Sequence, residues 1–426
     1  MEVIYSKVCG VDVHKNFIVA VICDSTGQTP KYYKRRFSTF HNDLINFRNW
    51  LIENDCDNVC MESTGKYYIP VYNALEGFIS NVVVANPKWV AVIKGEKDDN
   101  KDAKWIADLF KLGIVRSSFI PPKDIRVLRE YTRYLYKLTC NKTSEKNRFT
   151  NALTVGNCKL DMVFSDIFGK SSQNIIDIIL EKDSFSDEDI INCLRKNCKS
   201  SKEDILSSIT GITFTYEQKL RIKLIKDHID YLTNEINDLR EVVDTLVAPY
   251  EDYINLLLTI PGINRNSAIT ILSEIGTNMS QFSNHYRLTA WAGLAPSCNE
   301  SAGKKKSVKI SRAGVYLKPC LVEVAHSAVK DKTNTYYANK FNKISKRRGK
   351  KRAIIAIARK ILVAVYHMLL TGEVWNPRDL ASNETSDKDR LKYTKNNFCG
   401  SLKQLISLGL TSDELVNLVN QNAKTI

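Results

Sequence analysis

The chain has 426 residues, 43% of them hydrophobic and 26% charged, with a net charge of +15. That length argues for two or three domains, because a single core stops growing near about 250–300 residues, and the balance is that of a soluble globular protein. The first residues, MEVIYSKVCGVDVHK, carry acids and bases within their apolar stretch, which excludes a signal peptide or a membrane span there; later apolar stretches such as ILVAVYHMLL are of core size, so no membrane partner is expected.

Strands and helices alternate over residues 1–123. KVCGVDV is an apolar run and HKNFIVAVICD continues it after a polar break, so residues 1–25 read as a strand pair. DSTG supplies turn residues, and YYKRRFST reads as a third strand. HNDLINFRNWLIEND opens on Asn-Asp and spaces Leu44, Ile45, Phe47 and Leu51 as a helix does. NVCMEST is a strand ending in turn residues, YYIPVYNALEG a short helix and SNVVVANP another strand. NKDAKWIADLFKLG places Ala103, Ile106, Ala107 and Phe110 on one helical face. The alternation implies an α/β sheet with a central parallel portion.

From residue 124 the pattern becomes helical. DIRVLREYTRYLYKLTCNKTSEKNRFTNAL is long and charged, and residues 157–212 read as shorter helices joined by polar turns. TYEQKLRIKLIKDHIDYLTNEINDLREVVDTLV carries Leu220, Ile222, Leu224, Ile225, Ile229, Leu232, Ile236, Leu239, Val242 and Leu246, with steps of three and four from Ile225 onward, which suits a coiled-coil arm or a bundle helix. Residues 124–250 therefore read as a helical or coiled-coil spacer that mediates self-association. LLLTIPGINRNSAITILSEIG opens a mainly helical segment, 251–375, and resembles a helix-hairpin-helix. In that motif the turn, here with Gly262, and the start of the second helix, here with Asn264, face a DNA phosphate; an ordinary helical hairpin has the same pattern. Residues 376–426 form a polar tail with a last helical pair.

The eleven cysteines include no CxxC pair, Cys56 and Cys60 being the closest, and the six histidines do not cluster near them. This argues against a zinc site and for reduced thiols in a cytoplasmic protein. The charge is localised. Residues 301–360 hold eighteen Lys and Arg against two acids, Glu323 and Asp331, whereas the rest of the chain has 44 bases against 45 acids. A patch of this kind is the footprint of a polyanion partner. Its candidate contacts are Lys304, Lys305, Lys306, Lys309, Arg312, Lys346, Arg347, Arg348, Lys350, Lys351 and Arg352.

Four carboxylates carry candidate chemistry. Asp12 sits inside an apolar strand, where a charge is expensive unless it is paired or binds a cation. Glu62 ends a second strand, and Asp99 and Asp102 share one face at a helix start. Strand ends and a helix start can converge at one rim of a sheet, and hard carboxylate oxygens suit Mg²⁺ or Mn²⁺. Asp99 and Asp102 also suit helix capping, Glu62 also suits a solvated turn, and Asp98 leaves the helical register open.

GVDVHK, MESTG, and ANP followed by the DxxDA of DNKDAKWIADL resemble the RuvC-like (RNase H-like) domain of DEDD-type transposases in the bridge-RNA-guided insertion-sequence family IS110, which includes the Piv-like DNA invertases. TIPGINRNSAITILSEIG, LTAWAGLAPSCNESAGKKKS, KISRAGVYLKPCLVEVAHSA and YYANKFNKISKRRGKKRAIIAIARKILVAVYHML resemble the same family's second domain in order. The resemblance covers residues 5–125 and 250–370. It implies that Asp12, Glu62, Asp99 and Asp102 hold the metal, the DxxD spacing to Asp102 favouring Asp99 over Asp98. It further implies that Ser301, in NESAG, is the nucleophile, with Ser297, Ser307 and Ser311 as rival positions. The implied reaction is transesterification of insertion-sequence DNA without net hydrolysis, in a cytoplasmic, nucleoid-associated homo-oligomer with a structured RNA partner. Small residues beside Ser301 would let a phosphate backbone approach and the lysines would offset its charge. Two other readings share these residues: a RuvC-like nuclease using the acids alone, and a non-catalytic nucleic-acid-binding relic.

Overall fold

A computed structural model describes residues 3–87, 99–182, 184–195, 198, 200–296, 299–301, 304–307, 309–377 and 379, with a few isolated positions beyond; the side chains of residues 99–100, 299–301 and 304–307 lie outside that description. The polar tail expected over residues 376–426 falls almost wholly outside it as well. The chain divides into two compact units, Met1–Pro121 and Pro122–Ile426.

The first unit is built on a mixed five-stranded sheet. Its strands are β1 (Lys7–Val13), β2 (Phe17–Asp24), β3 (Lys31–Ser38), β4 (Asn58–Glu62) and β5 (Asn81–Ala85). The spatial order is β3-β2-β1-β4-β5, with β1 antiparallel to β2 and parallel to β4. The central parallel portion expected from the alternation is β1-β4-β5. Helices α1 (His41–Glu53) and α2 (Tyr68–Leu75) follow β3 and β4. On one sheet face Cys9, Val11 and Val13 pack with Val59, Met61 and the α1 residues Leu44, Phe47, Trp50 and Leu51. Trp50 takes the inward place that the spacing gave to Ile45, which is only half-buried. On the other face Val8, Cys23 and Cys60 pack with Ile106, Ala107 and Phe110 of α3 (Asp99–Lys111).

Among its described residues the second unit is helical apart from one hairpin. Two long helices, α4 (Lys123–Val155) and α9 (Tyr216–Val247), form an antiparallel pair. Leu138 meets Leu232 and Ile236, and the Tyr250 hydroxyl donates to Asp124 at the opposite end of the pair from the Phe149, Ile222 and Ile229 cluster. Four short helices fill the connection: α5 (Leu160–Val163), α6 (Lys170–Glu181), α7 (Asp187–Asn192) and α8 (Lys202–Ser207). Capping boxes at Ser186–Asp189 and Thr215–Gln218 fix the starts of α7 and α9. Along α9 the buried positions are Ile222, Ile229, Leu232, Ile236, Val243 and Val247. Leu220, Leu224 and Val242 are exposed. The helix meets α4 along a single seam, so these apolar residues fall on its outer side.

The rest comprises α10 (Glu251–Leu258), α11 (Arg265–Ile275), α12 (His285–Trp291), strands β6 (Asn299–Ser301) and β7 (Lys304–Ser307), α13 (Leu317–Lys330), α14 (Tyr336–Arg348) and α15 (Lys350–Thr371). The reading that no run reaches spanning length needs correction at α15, which is long and apolar enough to cross a membrane by length and composition. More than half of its apolar window is buried within the protein, however, with Ile357, Ile361, Leu362 and Val365 fully covered, so α15 is a core helix.

Candidate functional site

Asp12 and Glu62 stand at the C-terminal ends of two adjacent parallel strands. The β1–β4 register runs Cys9–Val59, Gly10–Cys60, Val11–Met61, which brings Asp12 level with Glu62 one step beyond the last pair. Side chains alternate along a strand. Val8 and Cys60 face α3, so Asp12 and Glu62 share that face. Asp12 is 7% exposed, and His14 Nε2 lies 3.0 Å from its Oδ2. Glu62 is half-buried.

Helix α3 is seated by a glycine. A Cβ on Gly10 would stand 2.2 Å from Ala103 O and 2.4 Å from Ala107 N, so only glycine lets the helix backbone lie on β1. Ala103 packs on Val19 and Val21 of β2, and Val19 is the β2 partner of Asp12. The half-buried Asp102 immediately precedes Ala103, so the first turns of α3 begin at the rim where Asp12 lies. Asp99 opens the helix, its side chain outside the described residues, and Asp98 lies outside them altogether. Among the described side chains no group of three or more His, Cys, Asp and Glu is close enough to hold a metal. Asp12 and Glu62, a buried strand carboxylate with a second carboxylate level with it, are hard oxygen donors of the kind Mg²⁺ or Mn²⁺ takes, but Asp102 does not complete a group of three with them, and the side chain of Asp99 lies outside the described residues.

Ser301 belongs to a strand. β6 and β7 pair antiparallel, with Ser301 opposite Lys304, Glu300 opposite Lys305 and Asn299 opposite Ser307. A further bridge, Pro296 to Ile310, closes the base of this hairpin. The base is held by two Ala-Gly pairs that cross: a Cβ on Gly293 would meet Ala313 O at 2.5 Å, and one on Gly314 would meet Ala292 O at 2.2 Å. Both glycines have positive φ, 67° and 70°, a second reason that larger residues are excluded. Thus WAGL and RAGV clasp the hairpin whose far end carries Ser301 and the three lysines. Of the rival serines, Ser297 lies outside the described residues, Ser307 is in β7, and the Ser311 hydroxyl accepts from the Ala313 amide.

The helical hairpin of α10 and α11 is also clasped from behind. Gly262 lies against Val324 and Ala328 of α13, where a Cβ would stand 2.6 Å from the Ala328 amide nitrogen, and Asn264 caps α11 through reciprocal bonds with Ser267 at 2.9 Å. Both residues line a groove of about 870 Å³ among α4, α9, α11 and α13. Arg133 grips Glu274, 3% exposed, through two bonds of 2.6 and 2.8 Å, while Arg129 donates to the carbonyls of Ser273 and Glu274. This tie between α4 and α11 had no local signature, since the partners are 141 residues apart.

Lys309 and Arg312 are exposed, as are Lys346, Arg347, Arg348, Lys350, Lys351 and Arg352 around Gly349. Three bases end α14, which complements its dipole, but the next three occupy the first turn of α15, where cations lose about 0.3–1 kcal/mol each. Stability is not the reason for that cluster; an anion partner is consistent with it. Two features escaped sequence reading. His14 is one, although it follows Asp12 by two residues. The other is the bare basic strand β3, whose neighbours depend on the sheet order.

Residues 9–156 match the DEDD transposase family of IS110, and residues 254–338 match the transposase family IS116/IS110/IS902. No curated protein matches the chain. The two matches agree, fall in order and together span just over half of the chain, so this protein belongs to the IS110 family of DEDD transposases and acts on DNA.

Proposed function

We propose that this transposase cuts and rejoins insertion-sequence DNA by metal-assisted transesterification, with Asp12, Glu62, Asp99 and Asp102 as the metal ligands and Ser301 as the nucleophile. The observation that carries the reading is the level placement of Asp12 and Glu62 on one sheet face, at the rim where α3 begins. The sheet order, three antiparallel strands followed by two parallel ones, supports a RuvC-like, RNase H-like fold for this unit. Bound Mg²⁺ or Mn²⁺ would polarise a phosphodiester and stabilise the attacking and leaving oxygens. His14, beside Asp12, restrains that carboxylate as an outer partner.

Ser301 lies on the backbone of a hairpin that is clasped at its base. Its oxygen bonds to phosphorus as the bond to the departing DNA oxygen breaks, and that oxygen takes up the proton. A hydroxyl of the second strand then displaces the serine. One phosphoester bond forms for each that breaks, so no nucleotide hydrolysis is needed. The basic hairpin and the Lys346–Arg352 cluster hold phosphates, with guidance by a structured bridge RNA and assembly as a homo-oligomer completing the reading.

Recombination of a marked element in cells tests it. Asp12→Ala and Ser301→Ala are each expected to lower recombination by at least about a hundredfold, the scale of a lost catalytic group. Normal recombination in both variants overturns the assignment. Strand cleavage that persists in Ser301→Ala, with no covalent protein–DNA product in the wild type, would point instead to a nuclease using the acids alone.

A further inference from the structure

The outer strand β3 is the least covered element of the sheet. Its first six residues, Lys31, Tyr32, Tyr33, Lys34, Arg35 and Arg36, are all exposed, and it holds four cations and no acid. Among the described residues no carboxylate forms an ion pair with any of these four cations. The arrangement has an orientation. Val19 of β2 pairs with Asp12 on one side and Arg36 on the other, so Asp12, Val19 and Arg36 form one row across the sheet. Residues paired across strands point to the same face, and neighbouring strands are about 4.8 Å apart, so the Arg36 backbone lies about 10 Å from that of Asp12 on the α3 face. The Arg36 guanidinium sits 3.7 Å from the centroid of the Phe17 ring, which packs with Val19, Val21 and Ala103 of that face. Lys34 is two residues back and shares the face, about 6.7 Å along the strand, a step that successive phosphates of an extended strand can follow. Tyr32 extends the row. Its hydroxyl donates to Asp108 of α3, and Lys104 lies 4.1 Å over its ring.

Resting on the reading of Asp12 and Glu62 as the cutting site, we propose that β3 is a DNA-backbone rail: Lys34 and Arg36 hold the phosphates of the strand being cut along the open edge of the sheet and lead it to the rim where α3 begins and the carboxylates stand. Guanidinium stacking on Phe17 fixes one anchor in direction, and charge complementarity selects the occupant. DNA is the occupant because the row ends at the carboxylates that would cut DNA. Charged side chains on an outer strand also discourage strand-on-strand aggregation, and that role makes a different prediction.

The test measures equilibrium binding of the full-length protein to a random-sequence DNA duplex, a DNA single strand and an RNA of the same sequence, over a range of salt. Each lost phosphate contact lowers the slope of log K against log salt by about 0.7–0.9. Lys34→Gln/Arg36→Gln is expected to lose slope by about two contacts on DNA and to bind several-fold more weakly at low salt, whereas Arg36→Lys retains the slope. Lys34→Gln alone leaves the Arg36–Phe17 stack intact and is expected to lose about one contact, should the double variant fold poorly. Unchanged DNA slopes overturn the rail, as does a loss seen with RNA only or a variant that merely aggregates. Wild-type protein that shows no salt-dependent DNA binding overturns the cutting-site reading along with it, which separates the two failures.

Discussion

At the scale of single residues, the candidate site rests on one missing side chain. Gly10 contributes no chemistry, yet it allows α3 to lie directly on β1. Gly10→Ala puts a methyl group 2.2 Å from a carbonyl oxygen that is backbone and cannot swing aside. It is expected to destabilise the first unit by about 1–3 kcal/mol, the usual cost of overpacking, and to reduce recombination by displacing the helix that bears Asp99 and Asp102; thermal unfolding and the recombination assay check both. Arg133 offers a contrast in the second unit. Arg133→Met leaves the buried Glu274 carboxylate without its two strongest bonds, and chemical denaturation is expected to show a loss of about 3–5 kcal/mol. Residue-scale legibility follows the same division. Asp12 could be read from sequence because a charge inside KVCGVDV is costly whatever the fold. Glu274 could not, because the cation that justifies its burial is 141 residues away.

At the scale of elements, periodicity located α3 and its buried face, since Ala103, Ile106, Ala107 and Phe110 are all covered. It overcounted on α9, whose thirty-two residues pack on α4 and, near the start, on the short helices of the connection, along one side only. Apolar residues outside the seam carry no packing energy, so a matched pair of substitutions distinguishes the two faces. Ile229→Ala, buried, is expected to cost about 2–5 kcal/mol. Leu224→Ala, 60% exposed, is expected to stay within about 0.5 kcal/mol, with urea unfolding as the measurement. Polar composition also hid the hairpin at Ser301. NESAGKKKS has few strand formers, and what makes it a hairpin is the clasp of Ala292-Gly293 with Ala313-Gly314, which no local pattern announces.

At the scale of the whole chain, charge was read correctly in sum and incompletely in space. The excess between residues 301 and 360 is evident from the sequence, whereas the remainder averages to neutrality and conceals a strand of four cations. Averaging along the chain cannot find such a strand, because its exposure comes from being outermost in the sheet, and sheet order is a non-local property. The resemblance to a family contributed most where physics was weakest, at Ser301, and least at Asp12.

The row from Asp12 through Val19 to Arg36 has a consequence for changes of chain length. Its spacing is set by the hydrogen-bond ladder and not by any loop, so residues can be added or removed between Ser25 and Pro30, where the chain is mostly exposed, without moving Arg36. Loss of a single residue inside β3 is another matter. It would slip the pairing by one, turn Lys34 and Arg36 to the opposite face and bring their neighbours round in their place. Length variation in this transposase family should therefore accumulate in that turn and spare the strand.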